Sequence, residues 1–160
     1  MGLYFEEFFV GQKIVTEKHT MTEDDIMTFA KLSGDDNRIH TDPEFSKTTP
    51  FGQQVAHGLL GLSIASGLAW ETGLMDGTVI AFREVRDWKF VKPLFIGDTF
   101  YNELETMEVK ALPRIGGGSV TIKMEVKNQN NEVCHRGTWV VLIMSLGGTL
   151  HHFDSSLPFL

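Results

Sequence analysis

The segment His57–Glu71, HGLLGLSIASGLAWE, constrains the fold more than any other part of the chain. Leu59, Leu60, Leu62, Ile64, Ala65, Leu68 and Ala69 point nearly all round a helical axis, and nothing before Gly73 breaks the helix decisively. A helix that is apolar on most faces belongs inside a fold. Its small residues, Gly58, Gly61, Ser63, Ser66 and Gly67, let neighbouring backbone or a ligand approach closely. It is too short, and too broken by Gly and Ser, to cross a membrane, which takes about 20 apolar residues. The rest of the chain must therefore wrap it.

The wrapping material follows in sequence. Val79–Lys92, Asp98–Val109, Ser119–Lys127 and Glu132–Met144 read as four strands, separated by Pro93, the turn at Phe95-Ile96-Gly97 and the run Asn128-Gln129-Asn130-Asn131. Ser119–Lys127 shows the alternation most clearly, with Val120, Ile122, Met124 and Val126 on one face. Upstream, residues 1–12 read as an extended arm that packs Tyr4, Phe5, Phe8 and Phe9 onto the body, and residues 13–20 as a first strand. Thr22 caps a helix that carries three acids in its first turn and runs to about Leu32, where Gly34 stops it. Asp42-Pro43-Glu44 starts a short helix reaching about Lys47. Strand, helices, then four antiparallel strands make an α+β domain, a curved sheet around the apolar helix. The expectation is one domain over residues 1–160, with the tail from 147 unassigned.

Composition narrows the partners. The net charge of -7 leaves no basic stripe for a phosphate backbone, so nucleic acid is not an expected partner. A lone cysteine, Cys134, allows no internal disulfide and no Cys-rich metal site, and suits a reducing cytoplasm. In a strand-like run it reads as a packing residue. The acidic start MGLYFEEFFVGQ lacks the basic region of a signal peptide. The adjacent His151-His152 pair has diverging side chains and no carboxylate cluster, so no metal is expected there or elsewhere.

The chemistry concentrates just before the apolar helix. Gly34-Asp35-Asp36-Asn37-Arg38-Ile39-His40 is a polar turn hanging off a helix C-terminus, with an acid and an imidazole five positions apart. A carboxylate and an imidazole flanking one water can activate it, because histidine takes and returns protons near neutrality. Asp36 reads as an exposed turn acid. His57 reads as a structural residue at the helix entrance. For Ser66, two turns into the helix, a core hydroxyl and a pocket-lining role are equally open.

Ser33-Gly34-Asp35-x-Asn37-x-x-His40, followed by His57-Gly58 and Ser66, resembles the motif of the MaoC-like dehydratases, the (R)-specific enoyl-CoA hydratases. Phe90-x-x-Pro93-x-x-x-Gly97-Asp98-Thr99 fits the same family. The resemblance implies the hot-dog fold, a sheet wrapped around a long central helix. It also implies an acyl-CoA thioester substrate, Asp35 and His40 as the catalytic pair, and the Gly58 N–H as oxyanion donor. Asn37 would brace the turn, with Arg38, His57 and Ser66 as binding or supporting residues. It implies no metal or redox cofactor, and a homodimer with higher order open. The family places Pro where this chain has Arg38. Arg38 frees the turn and is expected to set a cation near Asp35, which would suit a branched dicarboxylic substrate such as mesaconyl-CoA. A thioesterase and a non-catalytic acyl-CoA-binding subunit are the alternatives. Arg83, Arg86, Lys89 and Lys92 form a basic run for coenzyme A phosphates or a solvated edge, with Arg83 and Lys89 expected on one face and Arg86 and Lys92 on the other.

Overall fold

A computed structural model describes residues 1–148. Most of the unassigned tail, and the His151-His152 pair within it, lie outside the described residues. Four long strands form the body of one antiparallel sheet: β3 (Val79–Phe90), β4 (Thr99–Leu112), β5 (Gly117–Asn128) and β6 (Val133–Met144). Two short ones, β1 (Lys13–Val15) and β2 (His19–Thr20), both pair with β4. The order is β1-β4-β5-β6-β3, so among the described residues β3 is a free edge. The sheet curves round the helix α4 (Gly58–Glu71) in the hot-dog arrangement. Leu60, Ala65, Leu68 and Ala69 on the helix share one buried cluster with Phe100, Leu104, Ile122, Met124 and Val141 on the sheet. A polar tie crosses this interface, where the buried Asn102 Nδ2 donates to the Ala65 carbonyl at 2.7 Å.

The expected single strand over residues 13–20 is two pieces, because Thr16 turns inward and its Oγ1 accepts from the Asn102 N–H at 2.9 Å. The arm folds a 3₁₀ turn at Phe5–Glu7 and buries Phe8, but Phe9 stays 60% exposed. The Phe5 ring covers Gly118, where a Cβ would lie 2.2 Å from it.

Strict alternation fails along β3. Val79 and Ala81 face Ile143 and Leu142, Phe82 and Glu84 face Val141 and Val140, and Arg86 and Lys89 face Thr138 and Arg136, so the register slips three times. Arg86 and Lys89 consequently share a face instead of opposing. Asp87 takes a left-handed φ of 48°, and Trp88 turns in over Gly137, where a Cβ would lie 2.5 Å from the indole. Cys134 is fully buried and its thiol is pushed up to about 11 by desolvation, as befits a packing residue.

The central helix departs from expectation on one side. Leu59 is 59% and Trp70 51% exposed, and Ser63, Ser66 and Gly67 lie open between them. The fold wraps α4 on the sheet side and leaves an outward stripe of mixed apolar and small residues.

Candidate active site

Helix α1 (Glu23–Ser33) opens on a reciprocal cap between Thr22 and Asp25 and closes at Gly34 with φ of 80°, a conformation that suits glycine. The chain leaving Gly34 is held by its own side chains. Ser33 Oγ accepts from the Asp35 N–H at 3.2 Å while donating to the Phe29 carbonyl at 2.7 Å. Asn37 Oδ1 accepts from the Ile39 N–H at 3.1 Å and so caps a short helix, α2 (Arg38–Thr41). The expected polar turn is therefore half helical, and His40 rides on a helical turn. Asp42 then caps α3 (Pro43–Ser46), its Oδ1 accepting from the Glu44 and Phe45 N–H groups at 3.0 Å each.

Arg38 is placed differently from the sequence expectation. Its guanidinium grips Asp42 Oδ2 at 2.8 and 3.1 Å and lies 4.4 Å over the Phe45 ring. Asp42 sits one helical turn on, facing the same side of α2, so it captures the cation that was expected beside Asp35. The Phe45 N–H foremost, then Arg38, holds the Asp42 carboxyl below its usual range.

His40 and His57 form the centre. His40 is 9% exposed, and its Nδ1–H donates to the Val55 carbonyl at 2.6 Å. That bond fixes the neutral tautomer and leaves Nε2 a free lone pair. Burial lowers the His40 pKa, with the neighbouring His57 adding to the fall and the Val55 bond opposing it. His57 is 3% exposed, and its Nε2–H donates to the Asp35 backbone carbonyl at 2.8 Å. Its ring stacks on His40 with centroids 3.8 Å apart and planes at 28°, and the Phe29 edge closes its other side at 5.0 Å. One side chain thus touches both members of the expected pair, which the sequence reading of His57 did not anticipate. A ligand-type atom from each of Asp35, His40 and His57 lies within 4.8 Å of the other two. Two near-parallel imidazoles at this spacing cannot both aim an in-plane lone pair at one ion about 2.0–2.1 Å away. Hydrogen bonds to a water, near 2.8 Å and angularly tolerant, fit them better.

Gly58 is the first residue of α4. His57 supplies no side-chain cap, and among the described residues no acceptor meets the Gly58 N–H. An uncapped helix start carries partial positive charge. A Cβ on Gly58 would lie 2.8 Å from the Phe90 ring, so glycine is needed for that ring to close over the helix start.

A cleft of about 440 Å³ opens from this point, with His40, Gly58, Leu59, Phe90, Leu94 and His135 among its walls. Lys92 stands at its rim, paired with Glu132. Arg86 pairs with Glu84 at 2.7 Å, whereas Arg83 and Lys89 make no ion pair among the described residues. Ser66 lies on the outward stripe of α4 and does not line the cleft. His135 does line it and was missed in the sequence. Its signal was an imidazole inside the otherwise strand-like run Val133–Met144. It is 2% exposed, and burial alone pushes its imidazole down to about 4.

Comparison with known proteins assigns the chain to a family. The model of the MaoC like domain matches residues 7–130. Protein MaoC of Klebsiella aerogenes is 38% identical over 96 residues, 60% of this chain, but the match spans only 28% of that longer protein. The (R)-specific enoyl-CoA hydratase of Aeromonas caviae is 33% identical over 101 residues, 63% of this chain and 72% of that one. The solved structure of a monoamine oxidase regulatory protein from Archaeoglobus fulgidus superposes with a TM-score of 0.84 at 40% identity, covering 91% of this chain and 96% of that one. With the family model spanning most of its length, the chain belongs to the MaoC-like dehydratase family.

Proposed function

We propose that this hydro-lyase adds water reversibly to a trans-2-enoyl-CoA thioester to give the (R)-3-hydroxyacyl thioester. The observation that carries this reading is the neutral His40, its Nδ1–H tied to Val55 and its Nε2 lone pair free, beside Asp35 and at the mouth of a cleft that begins with the unpaired Gly58 N–H. In this reading Asp35 orients the water and His40 Nε2 takes its proton as the oxygen bonds to the β-carbon. The displaced electron pair moves to the thioester oxygen, which the Gly58 N–H and the start of α4 stabilise. His40 then returns the proton to the α-carbon on the same face, so both atoms come from one water. Positioned proton transfer of this kind contributes about 10²–10⁴ in rate, and one oxyanion donor about 10²–10³. None of these steps calls on a metal or redox cofactor.

Crotonyl-CoA hydration, followed as loss of the enoyl absorbance, tests the reading. Asp35→Asn and His40→Ala are each expected to lose at least about 10²-fold in kcat with folding intact. Near-normal turnover in either overturns it. Release of free thiol in place of enoyl loss would assign a thioesterase, and tight acyl-CoA binding without turnover a binding subunit.

We further propose a homodimer through the free edge of β3 and the outward stripe of α4. Phe82, Val85 and Phe90 on β3 are exposed together with Leu59 and Trp70, and an uncovered apolar edge strand is a liability for a lone chain. Ser66 would then reach a site only across that interface. Among the described residues no helix is long and apolar enough to cross a membrane, and the proposed location is the cytoplasm.

A further inference from the structure

Two local rules are broken at one spot beneath α4, and each violation meets the other. Gly61 sits inside the helix, where glycine is less stable than alanine. His135 sits inside β6, almost fully buried, and its Nδ1 is shielded from solvent with no hydrogen-bond partner among the described residues. An unpartnered buried polar group is destabilising, because it gives up water and gains nothing in return. The two are one arrangement, because a Cβ on Gly61 would lie 2.4 Å from the His135 Cε1. Phe90 and Trp88 pack their edges at 5.0 and 6.2 Å from the imidazole centroid and offer it no acceptor. An alanine opposite a valine would fill the same space without either cost. Such paired departures from stability mark a functional position.

The position has a use because His135 lines the same cleft as His40 and Gly58. Around it the cleft is apolar, with Leu59, Phe90 and Leu94 nearest the helix start and Lys92 held at the rim by Glu132. An apolar pocket with a few placed polar atoms uses those atoms to orient its ligand. His40 serves the reacting carbons, and Arg38, the residue expected to set substrate chemistry, is turned to Asp42. We infer that His135 is a specificity residue that hydrogen-bonds an uncharged oxygen, a hydroxyl or ketone, on the acyl chain of the substrate. A carboxylate there would lose its hydration in an apolar cleft whose lysine, Lys92, is already paired with Glu132 at the rim. The inference rests on the hydratase reading and names its substrate class.

The test compares crotonyl-CoA with 4-hydroxycrotonyl-CoA, which differ only by the acyl hydroxyl, so contacts to coenzyme A cancel. Wild type is expected to favour the hydroxylated substrate in kcat/KM. His135→Leu is expected to lower that preference about tenfold, the worth of one neutral hydrogen bond. An unchanged ratio in the variant, or no wild-type preference, overturns the inference while leaving hydration standing. Should the variant fail to fold, or wild type hydrate neither substrate, imidazole nitrogen shifts decide the question in wild type. Those of His135 are expected to move on adding 4-hydroxybutyryl-CoA but not butyryl-CoA, and equal response to both overturns the inference.

Discussion

His40 and His135 line the same cleft, and both are buried, yet they are supported in opposite ways. His40 is surrounded by partners: Val55 fixes its tautomer, Gln54 Nε2 donates to its carbonyl at 2.8 Å, and His57 stacks on its face. The His135 imidazole has aromatic edges and a glycine around it, and its Nδ1 has no hydrogen-bond partner among the described residues. In the proposed reading the difference separates two tasks. A base must present one lone pair in one direction, which requires its other nitrogen to be occupied. A group that recognises a ligand keeps its capacity unspent until the ligand arrives.

The support of His40 is the easier to break. His57→Phe keeps the ring stack but loses the tether to Asp35, whereas His57→Gln keeps an amide near the tether and loses the ring. Each is expected to lower kcat by about 10²-fold, since a displacement of about 1 Å at a reacting pair costs that much. Both are expected to raise the acid limb of the pH–rate profile, because the second imidazole no longer opposes protonation of His40, which Asp35 then faces alone. A profile unmoved in both variants would reduce His57 to packing.

Acid stability probes the other histidine. Burial holds His135 near 4 in the folded chain, against an ordinary value of 6.5 when unfolded. The unfolded chain therefore binds the extra proton between those values, so this contribution is complete above pH 6.5 and is lost as pH falls toward 4. The loss amounts to about 3 kcal/mol. His135→Val is expected to remove that slope from denaturant-derived stability measured across the same window, and an unchanged slope would place the titration elsewhere.

Gly61→Ala sharpens the geometry. Overpacking against the imidazole is expected to cost about 1–3 kcal/mol. In a His135→Val background the same change is expected to become neutral or to stabilise by up to about 1 kcal/mol, as helix propensity prefers. Additive thermal shifts in the double variant would mean the two residues do not meet. Smallest is Arg38→Ala. The exposed pair with Asp42 is worth about 0.2–1 kcal/mol, and little change in the relative rates on charged and uncharged acyl groups is expected. A strong change there would return the substrate question to Arg38.

Much of the scaffold was legible from local signals. Thr22, Gly34 and Asp42-Pro43 are caps and stops whose effect acts within a turn, and α1, α3 and α4 lie close to where they place them. The alternation of Val120, Ile122, Met124 and Val126 is equally local, and the four long strands follow it. α2 was not legible, because four residues carry no period and depend on the Asn37 cap and on the Ser46 hydroxyl donating to the Ile39 carbonyl at 3.0 Å. The bulges of β3 were hidden for a related reason: Trp88 turns inward to fill the space above Gly137, a residue of another strand.

What the sequence determined by itself is the spacing of Asp35 and His40, the apolar helix that starts at Gly58, and the strands that must enclose it. Tertiary structure alone decided that Arg38 faces Asp42, that His57 bridges Asp35 and His40, and that His135 meets Gly61 under the helix. Caps and periodicities act over one to four residues and are written along the chain. His57 reaches Asp35 across 22 positions, and His135 reaches Gly61 only because β6 passes beneath α4. Such contacts exist only once the sheet has curved.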